Sequence, residues 1–171
     1  DDSGLRHRRP TLWTVWGLAQ GVNAGDTLWA LARSSLYRLS ALGHEPQRVL
    51  DVAQLLDETC LALCEGQYLD IASEGDRDMP LETYLLLVQG KTAALMGASL
   101  ACGALLAGAS ASLVTRMQTF GRELGLAFQI TDDLLGILGN PEITGKSAAS
   151  DLAARKMTLP VVHAREWEKR Q

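Results

Sequence analysis

Apolar residues recur every three to four positions along most of the chain, which is the spacing of one face of an α-helix. The pattern predicts long helices over residues 18–42, from 46 towards 71, from 80 to about 107 and from 112 to 138, with another beginning at 159. Gly43 and Pro141 stand where helices should end, and Pro46 and Pro80 stand where they should begin. The sequence has no alternating strand pattern of useful length and no fixed-period repeat. It therefore predicts an all-α fold, a bundle of long antiparallel helices with short connections.

Length and composition favour a single all-helical domain over residues 1–171. The chain is 47% hydrophobic, which is enough for one buried core. Its net charge is −4 and its basic residues are scattered apart from those at positions 6–9, so no nucleic-acid partner is expected. Cys60, Cys64 and Cys102 are odd in number, have no histidine at zinc-finger spacing, and are expected to be reduced core residues. Because no signal-peptide pattern is visible, the predicted location is the cytoplasm.

One uncharged stretch, residues 92–115, is long enough to cross a membrane. It consists mostly of Ala, Gly and Ser, and the cluster at 108–112 is typical of a break between two helices. Small residues let helix backbones approach closely. The composition therefore favours a buried, close-packed helix, and no membrane span is expected.

The stretch FQITDDLLG, residues 128–136, places two adjacent carboxylates inside an apolar helical pattern. Two unit charges about 4 Å apart repel by about 4 kcal/mol at an effective dielectric of about 20, so a partly buried pair needs a counter-charge. A solvated acidic patch on an exposed face is the alternative. The flanking residues leave little polar surface besides Gln129, Thr131, Asp132 and Asp133. This favours an interior cleft of the bundle and a hard cation such as Mg²⁺.

Three lysines lie at positions where they could bind an anion together with the aspartate pair. Lys91 falls in the middle of an apolar helical pattern, and Lys146 and Lys156 follow the carboxylate pair. Each could be an ordinary lysine whose ammonium reaches solvent. Together with two aspartates in a charge-poor core, they predict a diphosphate held jointly by Mg²⁺ and ammonium groups.

Several motifs, in order, carry a family resemblance. LGLAFQITDDLLGILGNPEITGKSAASDLAARKMTLPV resembles the second aspartate-rich region of the trans-isoprenyl diphosphate synthases, the polyprenyl synthetases. DDSGLRHRRPTLW is similar to the end of that family's first aspartate-rich motif and its arginines, and GVNAGDTLWALA, EGQYLDI and LVQGKTAALMGASLACGALLAG are similar to its intermediate signatures. The resemblance implies an isoprenoid synthase-like helical bundle that is truncated at both ends, so that these 171 residues are the central portion of a synthase and are inactive alone.

The resemblance also implies roles for individual residues. Metal ligands would be Asp1, Asp132 and Asp133, with Mg²⁺ as the cofactor; the substrate diphosphate would be bound by Arg6, Lys91, Lys146 and Lys156; the catalytic set would be Lys91, Thr92, Gln129, Asp132 and Asp133; and the cleft wall would include Gln67, Asp70 and Phe128. Two positions depart from the family pattern. His7 stands where a second arginine is usual, and Gly136 replaces the third aspartate of the second motif.

The reaction implied by the resemblance is head-to-tail prenyl transfer. An allylic diphosphate would lose pyrophosphate, isopentenyl diphosphate would attack the resulting allylic cation, and the protein would act as a homodimer. Two alternatives remain open from the residues. One is a catalytically silent synthase-like subunit that binds an active partner, and the other is a class I terpene cyclase acting on a single substrate.

Overall fold

A computed structural model describes residues 4–6, 9–76, 78–139, 156–169 and 171. Within these residues the chain forms two short strands, seven α-helices and one π-helix. Their bounds are β1 Leu5–Arg6, β2 Arg9–Pro10, α1 Leu12–Trp16, α2 Leu18–Ala41, α3 Pro46–Ala72, α4 Leu81–Val88, the π-helix Gln89–Ala93, α5 Ala94–Leu106, α6 Ala111–Leu138 and α7 Leu159–Glu168. The all-α prediction is confirmed, and the predicted helix bounds agree with the observed ones to within about two residues.

Contacts divide the chain into two compact units, residues 1–53 and 54–171, with the boundary inside α3. In the first unit, β1 and β2 pair antiparallel, with Leu5 opposite Pro10. The hydrophobic pattern of the sequence does not reveal this small ladder, because a two-residue strand leaves no alternation to detect. The prediction that residues 1–171 form one domain stays a prediction.

The end of α2 shows why its limit could be predicted. Gly43 adopts a φ of 86°, a left-handed conformation that glycine reaches at little cost. Its N–H donates to the Ser40 carbonyl at 3.1 Å, and the His44 N–H donates to the Leu39 carbonyl at 3.2 Å. This pair of bonds satisfies carbonyls that the last helical turn leaves open. Glycine after the last periodic residue therefore ended the helix as predicted.

The second unit has a hydrophobic core where α4, α6 and α7 meet. Tyr84, Leu87 and Val88 from α4 are buried together with Met79 and with Val162 of α7, which is fully buried. Leu126 of α6 packs against this cluster. The core therefore lies directly beside the α6 segment that carries the aspartate pair.

Helices α5 and α6 approach each other closely at glycines. A Cβ added at Gly121 would lie 2.6 Å from the Met96 carbonyl oxygen, and one added at Gly97 would lie 2.9 Å from the Gln118 carbonyl oxygen. Residues 81–106 are long and apolar enough to cross a membrane by length and hydropathy, a test that buried core helices also pass. The glycine contacts with α6 are the close packing that the small-residue composition predicted.

Candidate functional site

The π-helix Gln89–Ala93 carries Lys91 and Thr92 and packs closely against α3 and α6 at glycines. On one side, a Cβ at Gly90 would lie 2.7 Å from the Ala62 carbonyl oxygen of α3. On the other side, a Cβ at Gly125 of α6 would lie 2.6 Å from the Ala93 Cα. Single π turns within α-helices frequently mark functional sites. Here the turn brings Lys91 towards α3 and Thr92 towards α6.

Three polar side chains form a continuous hydrogen-bonded chain between the π-helix and α6. The Thr92 hydroxyl donates to Gln129 Oε1 at 2.8 Å, and Gln129 Nε2 donates to Asp133 Oδ1 at 2.9 Å. Gln129 and Asp133 are four residues apart, so they are neighbours on one face of α6. The fold thus brings together three residues that the sequence predicted for the site.

Asp133 is 5% exposed and accepts hydrogen bonds on both oxygens. Besides the Gln129 bond, its Oδ2 accepts from the Tyr84 hydroxyl at 2.7 Å and from the Leu159 backbone N–H at 2.9 Å. Burial, and next its hydrogen bond to Asp133, raise the pKa of Tyr84 well above its ordinary value, so the phenol stays a proton donor. Three donors from three different helices converge on this one carboxylate.

Tyr84 is the site residue that the sequence analysis missed. It is 2% exposed, and a buried tyrosine hydroxyl usually has a hydrogen-bond partner. That rule signals a polar neighbour for any tyrosine in an apolar pattern. It gives no identity for the partner, which lies 49 residues further along the chain.

Lys91 forms a hydrogen-bonded salt bridge with Asp70 of α3. The two side chains are 41% and 35% exposed, so both charged groups reach solvent. An ammonium has three donors, and one contact leaves donor capacity for an anion. This pair joins a predicted diphosphate-binding residue to a predicted cleft-wall residue.

The remaining predicted residues are placed less completely. Gln67, Phe128 and Lys156 are exposed, and Phe128 is 58% exposed. Arg6 is described only as part of β1. Asp1 and Lys146 lie outside the described residues. Their roles stay predictions.

The donor set of the described residues suits a metal held partly by substrate. No group of three His, Cys, Asp or Glu side chains within the described ranges could hold a metal ion alone. Asp132 is half-buried and lies beside Asp133 at the start of the last two turns of α6. Mg²⁺ is usually bound through one or two carboxylates together with substrate phosphates and water. One carboxylate at Asp132 fits that mode of binding.

Comparisons with known proteins give one consistent relationship. The family model described as polyprenyl synthetase matches residues 1–171. The chain is 44% identical over 164 residues to a geranylgeranyl diphosphate synthase of Mycobacterium tuberculosis, covering 96% of this chain and 46% of that protein. The crystal structure of a polyprenyl synthetase from Streptomyces coelicolor A3(2) is similar with a TM-score of 0.86 and 39% identity, covering 95% of this chain and 46% of the other.

A third relative was solved with ligands. The polyprenyl synthase from Caulobacter crescentus CB15, complexed with calcium and isoprenyl diphosphate, is similar with a TM-score of 0.84 and 31% identity. The match covers 97% of this chain and 48% of that one. The chain therefore spans about half the length of the relatives that it matches.

Proposed function

Because the chain belongs to the polyprenyl synthetase family, we propose that it is the central portion of a prenyltransferase that condenses an allylic diphosphate with isopentenyl diphosphate and releases pyrophosphate. The observation that carries the proposal is the set of contacts around the π-helix, in which Thr92 bonds to Gln129, Gln129 bonds to Asp133, and Lys91 pairs with Asp70. This arrangement combines one cationic group for a diphosphate, the Lys91 ammonium, with a wall of side-chain oxygen atoms.

The residues suit a reaction in which negative charge develops on a leaving diphosphate. The Lys91 ammonium can donate to a phosphate oxygen while it remains paired with Asp70. Mg²⁺ bound at Asp132 would add positive charge at the same leaving group. The family resemblance makes Lys156, Lys146 and Arg6 further candidates for binding diphosphate. Positively charged groups that already stand where negative charge develops in the transition state contribute a large part of an enzyme's rate enhancement.

The test uses the complete protein that contains these 171 residues. It should release pyrophosphate from an allylic diphosphate plus isopentenyl diphosphate when Mg²⁺ is present, and chelation of the metal should abolish release. Asp132→Ala should lose at least about 100-fold in kcat. Asp78→Asn is the matched control, because Asp78 is an exposed aspartate outside the candidate site. Its carboxylate pairs with the Lys169 ammonium at a distance of 2.7 Å. Equal activity in Asp132→Ala and wild type would contradict the proposal.

The same assay separates the two alternatives. Hydrocarbon formed from the allylic diphosphate alone would identify a terpene cyclase. Turnover only after addition of a complete homologue would identify a silent subunit. Prenyl transfer by the protein alone eliminates both.

From the resemblance to the polyprenyl synthetases, we also propose that the complete protein is a cytoplasmic homodimer. Large apolar side chains of α2 support it, because Leu18, Val22, Leu28 and Leu31 are each at least 59% exposed. Apolar surface of this kind favours association. Light scattering of the complete protein should give twice the monomer mass, and a monomer at micromolar concentration would contradict the proposal.

A further inference from the structure

We propose that Glu166 is a positioning residue for diphosphate binding: its carboxylate caps the first turn of α4 and thereby holds α7, the helix that follows Lys156, in place. The inference rests on the proposed function, because Lys156 is a candidate for binding diphosphate only through the family resemblance. The sequence analysis did not single out Glu166, and its partner on α4 lies 85 residues earlier in the chain.

Helix α4 begins without a capping side chain of its own. Its N-cap residue is Pro80, which makes no side-chain hydrogen bond to the first turn. The first N–H groups of a helix have no partner within the helix and carry a partial positive charge. The Leu81 N–H is one of them, and it donates to Glu166 Oε1 at 3.2 Å. A half-buried carboxylate from α7 therefore takes the place of the missing cap.

Helix α7 is held at three positions along one face, Leu159, Val162 and Glu166, because positions i, i+3 and i+7 fall together on a helix. At its start, the Leu159 N–H donates to Asp133 of α6 at 2.9 Å. In the middle, the Val162 side chain is fully buried in the core. Glu166 lies about 10 Å along α7 from Leu159 and attaches the other end to α4. Loss of the Glu166 contact therefore lets α7 shift about its buried centre.

The backbone of Lys156 follows any movement of α7, because only two residues separate it from the helix. The Met157 side chain packs against the core, and Thr158, the N-cap residue of α7, is 6% exposed. This short and largely buried connection transmits a shift of α7 to Lys156. Hydrogen bonds from an ammonium to phosphate oxygens depend steeply on distance and angle. A shift of α7 should therefore weaken the binding of diphosphate by Lys156.

The experiment measures Mg²⁺–pyrophosphate binding to variants of the complete protein by calorimetry. Glu166→Ala should weaken binding by about three- to tenfold, which corresponds to one typical hydrogen bond. Glu166→Gln keeps an oxygen acceptor for the Leu81 N–H and should stay within about twofold of wild type. Glu168→Ala is the matched control, because Glu168 is an exposed glutamate on the same helix, and its binding should not change. Equal losses in Glu166→Gln and Glu166→Ala would overturn the proposal.

A double-mutant cycle tests whether Glu166 acts through Lys156. Lys156→Gln removes the ammonium, so adding Glu166→Ala to it should weaken pyrophosphate binding by less than about 1.5-fold more. A residue that only stabilised the fold would leave the affinity of the folded protein unchanged, and independent, multiplying losses would likewise contradict the positioning role.

Hydrogen exchange of the Leu81 amide reports the cap directly, and should be about two- to tenfold faster in Glu166→Ala than in wild type or Glu166→Gln. If Glu166→Ala does not fold, Glu166→Met replaces it, because methionine keeps the length of the side chain and lacks the carboxylate oxygens. A wild-type protein that binds no pyrophosphate would defeat the proposed function. Wild-type binding by Glu166→Ala would overturn only the positioning role.

Discussion

The backbone of Gly66 on α3 meets the backbone of Lys91 so closely that a Cβ at Gly66 would lie 2.5 Å from the Lys91 nitrogen. A real Cβ cannot occupy that distance, so any side chain at position 66 must push the π-helix away from α3. The contact is backbone against backbone, and no flexible side chain can move aside to relieve it. The position of Lys91 beside Asp70 therefore depends on a glycine that itself carries no chemistry.

Gly66→Ala should destabilise the protein by about 1–3 kcal/mol through this overpacking. Urea unfolding followed by circular dichroism measures the loss. The matched control is Gly103→Ala, because Gly103 lies in α5 with open space around its Cβ position. Removing backbone freedom there should stabilise the helix by about 0.5–1 kcal/mol. Equal stabilities of the two variants would contradict the packing explanation.

Gly125→Ala should separate the other side of the π-helix from α6. Its new Cβ would lie 2.6 Å from the Ala93 Cα, one residue after Thr92. Displacement there lengthens the hydrogen bond from Thr92 to Gln129. We expect a similar loss of about 1–3 kcal/mol together with a fall in kcat of the complete protein. A variant that loses stability and keeps full kcat would show that the hydrogen bond tolerates the shift.

Asp70→Asn tests how the salt bridge affects an anion at Lys91. The two side chains are 41% and 35% exposed. Ion pairs at such exposed positions contribute little stability, so the free energy of unfolding should change by less than about 1 kcal/mol. Removing the negative charge should strengthen pyrophosphate binding by about two- to fivefold, since an anion no longer meets a carboxylate nearby. Isothermal titration calorimetry measures it, with Lys91→Gln as the comparison that should bind more weakly.

Weaker pyrophosphate binding by Asp70→Asn would identify a different role for the carboxylate. If Asp70→Asn weakens pyrophosphate binding as much as Lys91→Gln does, the carboxylate acts mainly by holding the ammonium in place. Raising the ionic strength should reduce the Coulombic effect and leave an orienting effect largely unchanged.

The helices and part of the site could be predicted because they follow from local spacing. Gln129 and Asp133 are one helical turn apart, so their shared face follows from helix geometry. The Tyr84 contact could not be predicted, because its partner is on another helix and the crossing that joins them depends on three-dimensional packing. The π-helix was missed for the same reason. Its extra residue is accommodated where Gly66 and Gly125 let two backbones approach, and a glycine alone does not reveal its neighbour.

The cysteines give a prediction that does not depend on the proposed function. All three are reduced thiols, but their burial differs from the core environment expected for each. Cys64 is exposed, so its predicted core position is wrong, because it lies on the outward face of α3. Cys60 and Cys102 are half-buried. Burial raises the pKa of the Cys102 thiol above its ordinary value of 9.0.

Alkylation with iodoacetamide at pH 8 should therefore modify Cys64 first and Cys102 several-fold more slowly. The thiolate is the reactive form, and a raised pKa means that a smaller fraction of Cys102 is ionised at that pH. As the pH rises above 9, the Cys102 rate should continue to increase. Mass spectrometry of the cysteine peptides after timed quenching measures both rates. In urea the difference should disappear, and equal rates in the native protein would contradict the burial of Cys102.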